Sequence, residues 1–181
     1  MEIKKIIKTC LVKMGVEDFL DQTYDQEQAQ LVNQLVQAFN VAYSEAVTTY
    51  MPLTTEEVVY VTNGIIDCTV LDKQIIHPAR LVDKIGTKHR YHVMPTTLLT
   101  DFSGEGVLTY AYAPREYTLD ETLEDLRFTP ELLAEGALAV YYFALRAFDL
   151  ASVHDDNFRQ GVKSMKHKGR EIVIKERRWS A

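Results

Sequence analysis

Five histidines (His77, His89, His92, His154 and His167) and two cysteines (Cys10 and Cys68) are the residues of this 181-residue chain best suited to metal binding, nucleophilic attack or proton transfer near neutral pH. Their spacing does not gather them. His89 and His92 lie three apart in a β-like stretch, where alternation sends them to opposite faces, and neither cysteine belongs to a tight ligand cluster, so no zinc site is expected. His154-Asp155-Asp156 offers the residue types of a base with orienting carboxylates. Adjacent helical residues point roughly 100° apart, however, and the triplet reads as a solvated polar turn between two helices. Glu56-Glu57 and Asp120-Glu121 read as exposed acidic surface for the same reason. No Gly-rich phosphate cradle, Walker motif or nucleophile elbow is present. The expectation is a protein with no catalytic, cofactor-binding or metal-binding residues, and two reduced thiols.

Two features point instead to binding. Tyrosine is frequent, with ten residues, and Tyr110, Tyr112 and Tyr117 cluster at the end of a β-like region, where rigid amphipathic rings suit an interface. The competing reading is half-buried sheet residues. The second feature is charge division. Between Arg159 and Arg178 eight Lys/Arg face two Glu, a local +6, so a total of −6 leaves −12 for the preceding body. Within this basic segment Ile172, Val173, Ile174 and Trp179 are apolar, and Lys175, Arg177 and Arg178 flank them. A solvated tail gains nothing from four large apolar residues, and burial of the Trp alone contributes about 3 kcal/mol. The segment reads as an extended arm that docks on another polypeptide by strand addition or in an acidic groove.

The elements that position these features follow from periodicity. Ile3, Ile6, Ile7, Cys10, Leu11 and Met14 predict a helix over 2–14 closed by Gly15. An acidic segment follows, anchored by Phe19, Leu20 and Tyr24. Leu31, Leu35, Phe39, Ala42, Ala46 and Tyr50 predict one long helix over about 26–50, stopped by Pro52. Short β-branched runs then begin at Val58, turn at Asn63-Gly64, and recur at Ile65-Ile66, Ile75-Ile76, Arg80 to Ile85, Tyr91 to Met94 and Val107 to Tyr112, with Pro78, Gly86, Pro95 and Ser103 to Gly106 as separators. Pro114 to Asp125 reads as an acidic connection. Thr129-Pro130 opens a helix running to Asp149, and a weaker helix covers about 150–165. The fold class is therefore α+β: a helical bundle from 1–52 plus 128–165, an inserted small antiparallel β module over 53–117, and an extended basic C-terminal arm over 166–181. No apolar run reaches the ~20 residues of a membrane span, and the lysine-studded N-terminus does not read as a signal peptide.

The order of these segments resembles the head–tail connector (adaptor or neck) proteins of tailed bacteriophages. The likeness is carried by Leu31-Val32-Asn33, Tyr43-Ser44-Glu45-Ala46, Tyr50-Met51-Pro52-Leu53 and Val61-Thr62-Asn63-Gly64. It continues through Leu108-Thr109-Tyr110-Ala111-Tyr112-Ala113-Pro114, Leu119-Asp120, Leu133-Ala134-Glu135-Gly136-Ala137-Leu138-Ala139 and Ile174-Lys175-Glu176-Arg177-Arg178-Trp179. His89 to Met94 has no counterpart in that pattern. The resemblance implies a structural protein made in the host bacterial cytoplasm and located in the virion neck. It further implies a homo-oligomer, a dodecameric ring around the DNA channel, with neither cofactor nor membrane contact and with no sequence-specific hold on the DNA. Ile172, Val173, Ile174, Lys175, Arg177, Arg178 and Trp179 would then meet the portal protein. Tyr110, Tyr112 and Tyr117 would meet the tail, a second neck protein or a neighbouring subunit. Other readings are a tail-completion or stopper protein, and a DNA-binding accessory protein using Arg159 to Arg178, whose affinity would fall steeply with salt.

Overall fold

A computed structural model describes residues 1–16, 19–23 and 25–168, with the side chains of 166–168 excepted. The class is α+β. Four helices, α1 (Ile3–Lys13), α2 (Gln26–Glu45), α3 (Pro130–Ala144) and α4 (Phe148–Lys168), flank seven strands in chain order. The strands are β1 (Thr54–Val61), β2 (Ile65–Asp67), β3 (Ile75–Asp83), β4 (Lys88–His89), β5 (Tyr91–Val93), β6 (Thr97–Thr100) and β7 (Gly104–Tyr112). The chain divides into two compact units, residues 1–39 with 119–181, and residues 40–118. Compared with the expected boundaries at 52/53 and 117/128, the last part of the long helix joins the β unit and residues 119–127 join the helical unit. α4 takes in 166–168, the first three residues of the expected arm over 166–181, and the rest, 169–181 with the seven arm residues named above, lies outside the described residues, as does Tyr24.

In the helical unit the predicted stripe of α1 is buried, while the α3 stripe is buried in its first half only, with Ala144, Leu145 and Phe148 exposed, and Val153 of α4 is exposed as well. Ile3, Ile6, Ile7, Cys10 and Leu11 of α1 are fully buried with Leu133, Ala134, Ala137 and Leu138 of α3 and with Phe158 and Val162 of α4. Phe19 and Leu20 are anchored as expected. Gly15 takes φ +72° and closes α1 by a pair of bonds, Gly15 N to Val12 O at 3.1 Å and Val16 N to Leu11 O at 3.0 Å. Thr129 caps α3 by accepting from Leu132 N at 3.2 Å, with Pro130 at the first helical position. α2 opens on a reciprocal box that composition alone conceals: Asp25 Oδ1 accepts from Gln28 N while Asp25 N donates to the Gln28 amide. The expected connection before α3 is tethered. Glu121 O accepts from Ile3 N, and Leu123, fully buried, donates its N–H to Met1 O.

The α3–α4 break falls at Leu145-Arg146-Ala147, earlier than the sequence predicts. Arg146 takes φ +60° and Ala147 N reaches back to Tyr142 O at 2.9 Å, the same closure that Gly15 makes for α1, here without a glycine to mark it. His154-Asp155-Asp156 is therefore no inter-helix turn. It lies inside α4, and His154 faces α3, with its Nδ1 2.7 Å from Glu135 Oε2 and its ring stacked on Tyr142.

The β unit is a small two-sheet sandwich. The four-stranded sheet has the order β1-β7-β3-β4 and the three-stranded sheet β2-β6-β5, antiparallel throughout. Val59, Val61, Leu81, Leu108 and Tyr110 from the first meet Ile66 and Leu98 from the second to form its core. Asn63 and Gly64, both at positive φ, make the tight turn that the dipeptide predicts. A Cβ on Gly64 would stand 2.6 Å from Thr100 O, so the turn also needs glycine for the close approach of β6. Three expectations change. Ile75-Ile76 and Arg80 to Ile85 are one strand, because Pro78 stays inside β3 between two register shifts. It is tolerated there because β4 covers β3 only at Leu81 and Val82, leaving an edge where a missing N–H costs little. Gly104 to Gly106 begins β7 instead of forming a turn, and Thr97–Thr100 is a strand too short, at four residues, to show a clear alternation in sequence.

The long helix ends in a π-turn over Ala46–Tyr50, with Met51 N donating to Ala46 O across five residues. Pro52 follows, as the stop signal requires.

Glu135 ties the helical unit together. Its carboxylate accepts from Lys13 Nζ of α1 at 2.7 Å, and from His154 and Asn157 of α4. Burial pushes its carboxyl upward, but these three donors outweigh that and hold it below its ordinary value of 4.5. Replacing it leaves donors from two helices without their acceptor, so Glu135→Ala is expected to cost about 1–2 kcal/mol. Because the folded value is lowered, this contribution is complete above 4.5 and disappears as pH falls through the folded value. Urea unfolding at pH 7 and below 4.5 should show the parent and variant converging at the lower pH, and an equal difference at both would refute the assignment.

Candidate interface

The candidate tyrosines do not behave as one surface. Tyr110 is fully buried, and its hydroxyl donates to Glu57 Oε2 at 2.7 Å, so the structure removes it from the interface set. Alternation sends it inward with Leu108. Burial, then the neighbouring Glu57 carboxylate, pushes its phenol up to about 12. Tyr112 is half-buried and carries the Lys73 ammonium 3.9 Å above its ring. Tyr117 is also half-buried. Its backbone is clamped by Asn40, which donates to Tyr117 O and accepts from Tyr117 N, both at 2.9 Å. Its ring meets Tyr43 edge-on, and the Arg115 guanidinium lies 4.4 Å from its centre. Both rings stabilise the β unit from within, and each leaves only part of its surface to solvent.

The two histidines His89 and His92 are separated, not by alternation along one strand as expected but because they lie on strands of different sheets. His92 is exposed on β5, while His89, on β4, belongs to the other sheet. His89 is held between two carboxylates, Nε2 3.1 Å from Asp83 and Nδ1 3.2 Å from Asp101, and stacks on Phe102 with ring centres 4.2 Å apart. With both ring nitrogens engaged it has none to offer a substrate. Among the described residues no group of three His, Cys, Asp or Glu is placed to hold a metal ion. Cys10 is buried against Ala134 O, and burial pushes its thiol up to about 12, far from a reactive thiolate. Cys68 is half-buried, and burial raises its thiol as well.

What stands out from the described surface is apolar. At the α3–α4 corner Phe143, Leu145, Phe148, Leu150 and Val153 are each at least half exposed, and the rings of Phe143 and Phe148 pack edge-to-face at 5.6 Å. In the β unit Val58 and Tyr60 of β1 and Val70 in the 3-10 turn after β2 are exposed to 54%, 73% and 74%. Contiguous apolar side chains left in water mark association surfaces. Both sets were legible in principle. Val58-Val59-Tyr60-Val61 has no polar residue on either strand face, and the Phe143 to Leu150 run is more apolar than a helix corner requires. No described helix is long and apolar enough to cross a membrane. No protein-family model matches the chain, and no curated protein sequence matches it.

The Asp83–His89–Asp101 cluster makes a pH-dependent contribution. The Asp83 hydrogen bond, the largest effect, raises His89 above its ordinary 6.5; burial opposes it, and the Asp101 hydrogen bond and the two carboxylate charges add to the rise. A raised value stabilises the fold below 6.5 and is lost as pH rises through the folded value. The melting-temperature gap between the parent and His89→Asn should therefore be widest below pH 6.5 and narrow towards pH 8.5. A gap that is constant or widens would contradict this arrangement.

Proposed function

We propose that this chain is a structural head–tail connector of a tailed bacteriophage, an adaptor or neck protein that forms a ring between portal and tail around the DNA channel. The observation that carries the reading is the apolar α3–α4 corner, where five large side chains stay outside the core of their own unit. A ring repeats one heterologous contact, in which a patch on one copy seats against a different patch on the next, and such a corner supplies one half. The segment order over most of the chain supports the same reading. So does the charge division: a body carrying −12 repels DNA and would let a genome pass without gripping it. The basic, apolar arm, with Ile172, Val173, Ile174, Lys175, Arg177, Arg178 and Trp179, would lodge in the portal. Repeated around a ring, even weak single contacts would hold through multivalency. The exposed parts of Tyr112 and Tyr117 would face the tail side or a neighbouring copy.

Deletion of 171–181 is expected to abolish capture on purified portal rings while leaving the melting temperature nearly unchanged. Native mass measurement should show a ring of copies on the portal with the full chain and none with the truncated one. Portal binding that survives the deletion, or salt-sensitive DNA binding in its place, would overturn the reading.

A further inference from the structure

We infer that the free edge of β1 takes up, in the free protein, the segment Glu171–Lys175 of a second copy of this chain as an added strand. Among the described residues β1 is the outer strand of its sheet, paired with β7 on one side only. Beside it runs an open groove of about 530 Å3 whose wall includes the consecutive residues Glu57, Val58, Val59 and Tyr60. Consecutive strand residues point to opposite faces, so a groove that touches all four meets the strand along its edge, where the unpaired N–H and C=O groups are. The opposite wall is β2 with the turn after it, including Ile65, Asp67 and Val70.

The lining specifies the occupant. It is apolar except for a few polar groups, and its charged side chains are the carboxylates of Glu57 and Asp67, with no cation among them. Val58, Tyr60, Ile65 and Val70 are exposed and wait for cover. A peptide that fits is extended, β-branched and flanked by cations: main-chain bonds supply affinity, and side chains entering the groove supply selectivity. The sequence contains such a segment in Glu171-Ile172-Val173-Ile174-Lys175, with Arg170, Arg177 and Arg178 around it. A segment given up by one copy and taken up by the next repeats one heterologous contact, the way copies of a chain associate, and the concentration dependence below separates this from docking within one copy. The pairing covers two aggregation liabilities at once, a bare edge and a bare apolar strand. It stands independently of the portal reading, since it concerns the protein on its own.

Val173→Pro in the full chain removes an N–H from the segment and cannot add as a strand, while lying outside every described element. That variant, with its own groove unoccupied, should bind a fluorescent peptide of residues 169–181 in an anisotropy titration. Adding Val58→Lys should weaken binding about tenfold or more, and a scrambled peptide of equal charge should not bind. In the parent chain, emission of Trp179, the single tryptophan, should shift to shorter wavelength with increasing protein concentration as sedimentation reports association. No peptide binding, binding indifferent to Val58→Lys, or a Trp179 shift independent of concentration would each overturn the inference, the last by showing that the segment docks within its own copy. Portal is absent from the assay, so this result and the deletion experiment can fail separately.

Discussion

A single half-buried carboxylate holds the helical unit in register. Glu135 sits on α3 and receives donors from α1 and α4, so three helices that share an apolar core are also fixed in rotation and slide relative to one another. Hydrophobic burial alone is non-directional and would tolerate neighbouring packings of such Ala- and Leu-rich stripes. A charged acceptor with three partners does not, because any slip leaves a buried charge short of its hydrogen bonds. Gly161 lies against the same seam: a Cβ there would meet the end of the Leu132 side chain, which would have to shift to make room. What the arrangement leaves over, the apolar corner after α3, is then displayed on a rigid frame.

The β unit solves a different problem. Its sandwich is too small to bury both faces of every strand, and the short strands β2, β4 and β5 contribute little area. Seven buried side chains and the Tyr110–Glu57 bond centre it, the Asp83–His89–Asp101 bridge closes one end, and the Gly64 turn sets the approach of β6. The cost falls on β1. Among the described residues one of its edges is paired and the other is bare, and its outer face carries Val58 and Tyr60. Two apolar surfaces of different kinds remain, a helical corner and a strand edge.

Most of the helices were legible because their stripes are long and their ends chemically marked: Gly15, Pro52 and Thr129-Pro130 all act as the sequence suggests. The α3–α4 break was not, since Arg146 takes a backbone conformation that composition assigns to glycine. In the β region, proline and glycine misled in both directions. Pro78 and Gly104 to Gly106 lie within strands because local edges and bulges absorb them, and Thr97–Thr100 is a strand by virtue of its partners on both sides. The tyrosines show the limit for sites. Alternation places Tyr110 with Leu108 inside, so residue type alone overstated its availability. The bare β1 edge could not be read at all, because strand order is a tertiary property that no local pattern encodes.

The connector account places many copies of this chain in one ring with their basic arms in a neighbouring protein. The most direct measurement is a symmetry-free reconstruction of the portal vertex in an intact particle. The account predicts a ring of this chain beneath the portal, with the indole of Trp179 enclosed by portal side chains in every copy. A vertex without the chain, or a ring whose arms end in solvent, would contradict it.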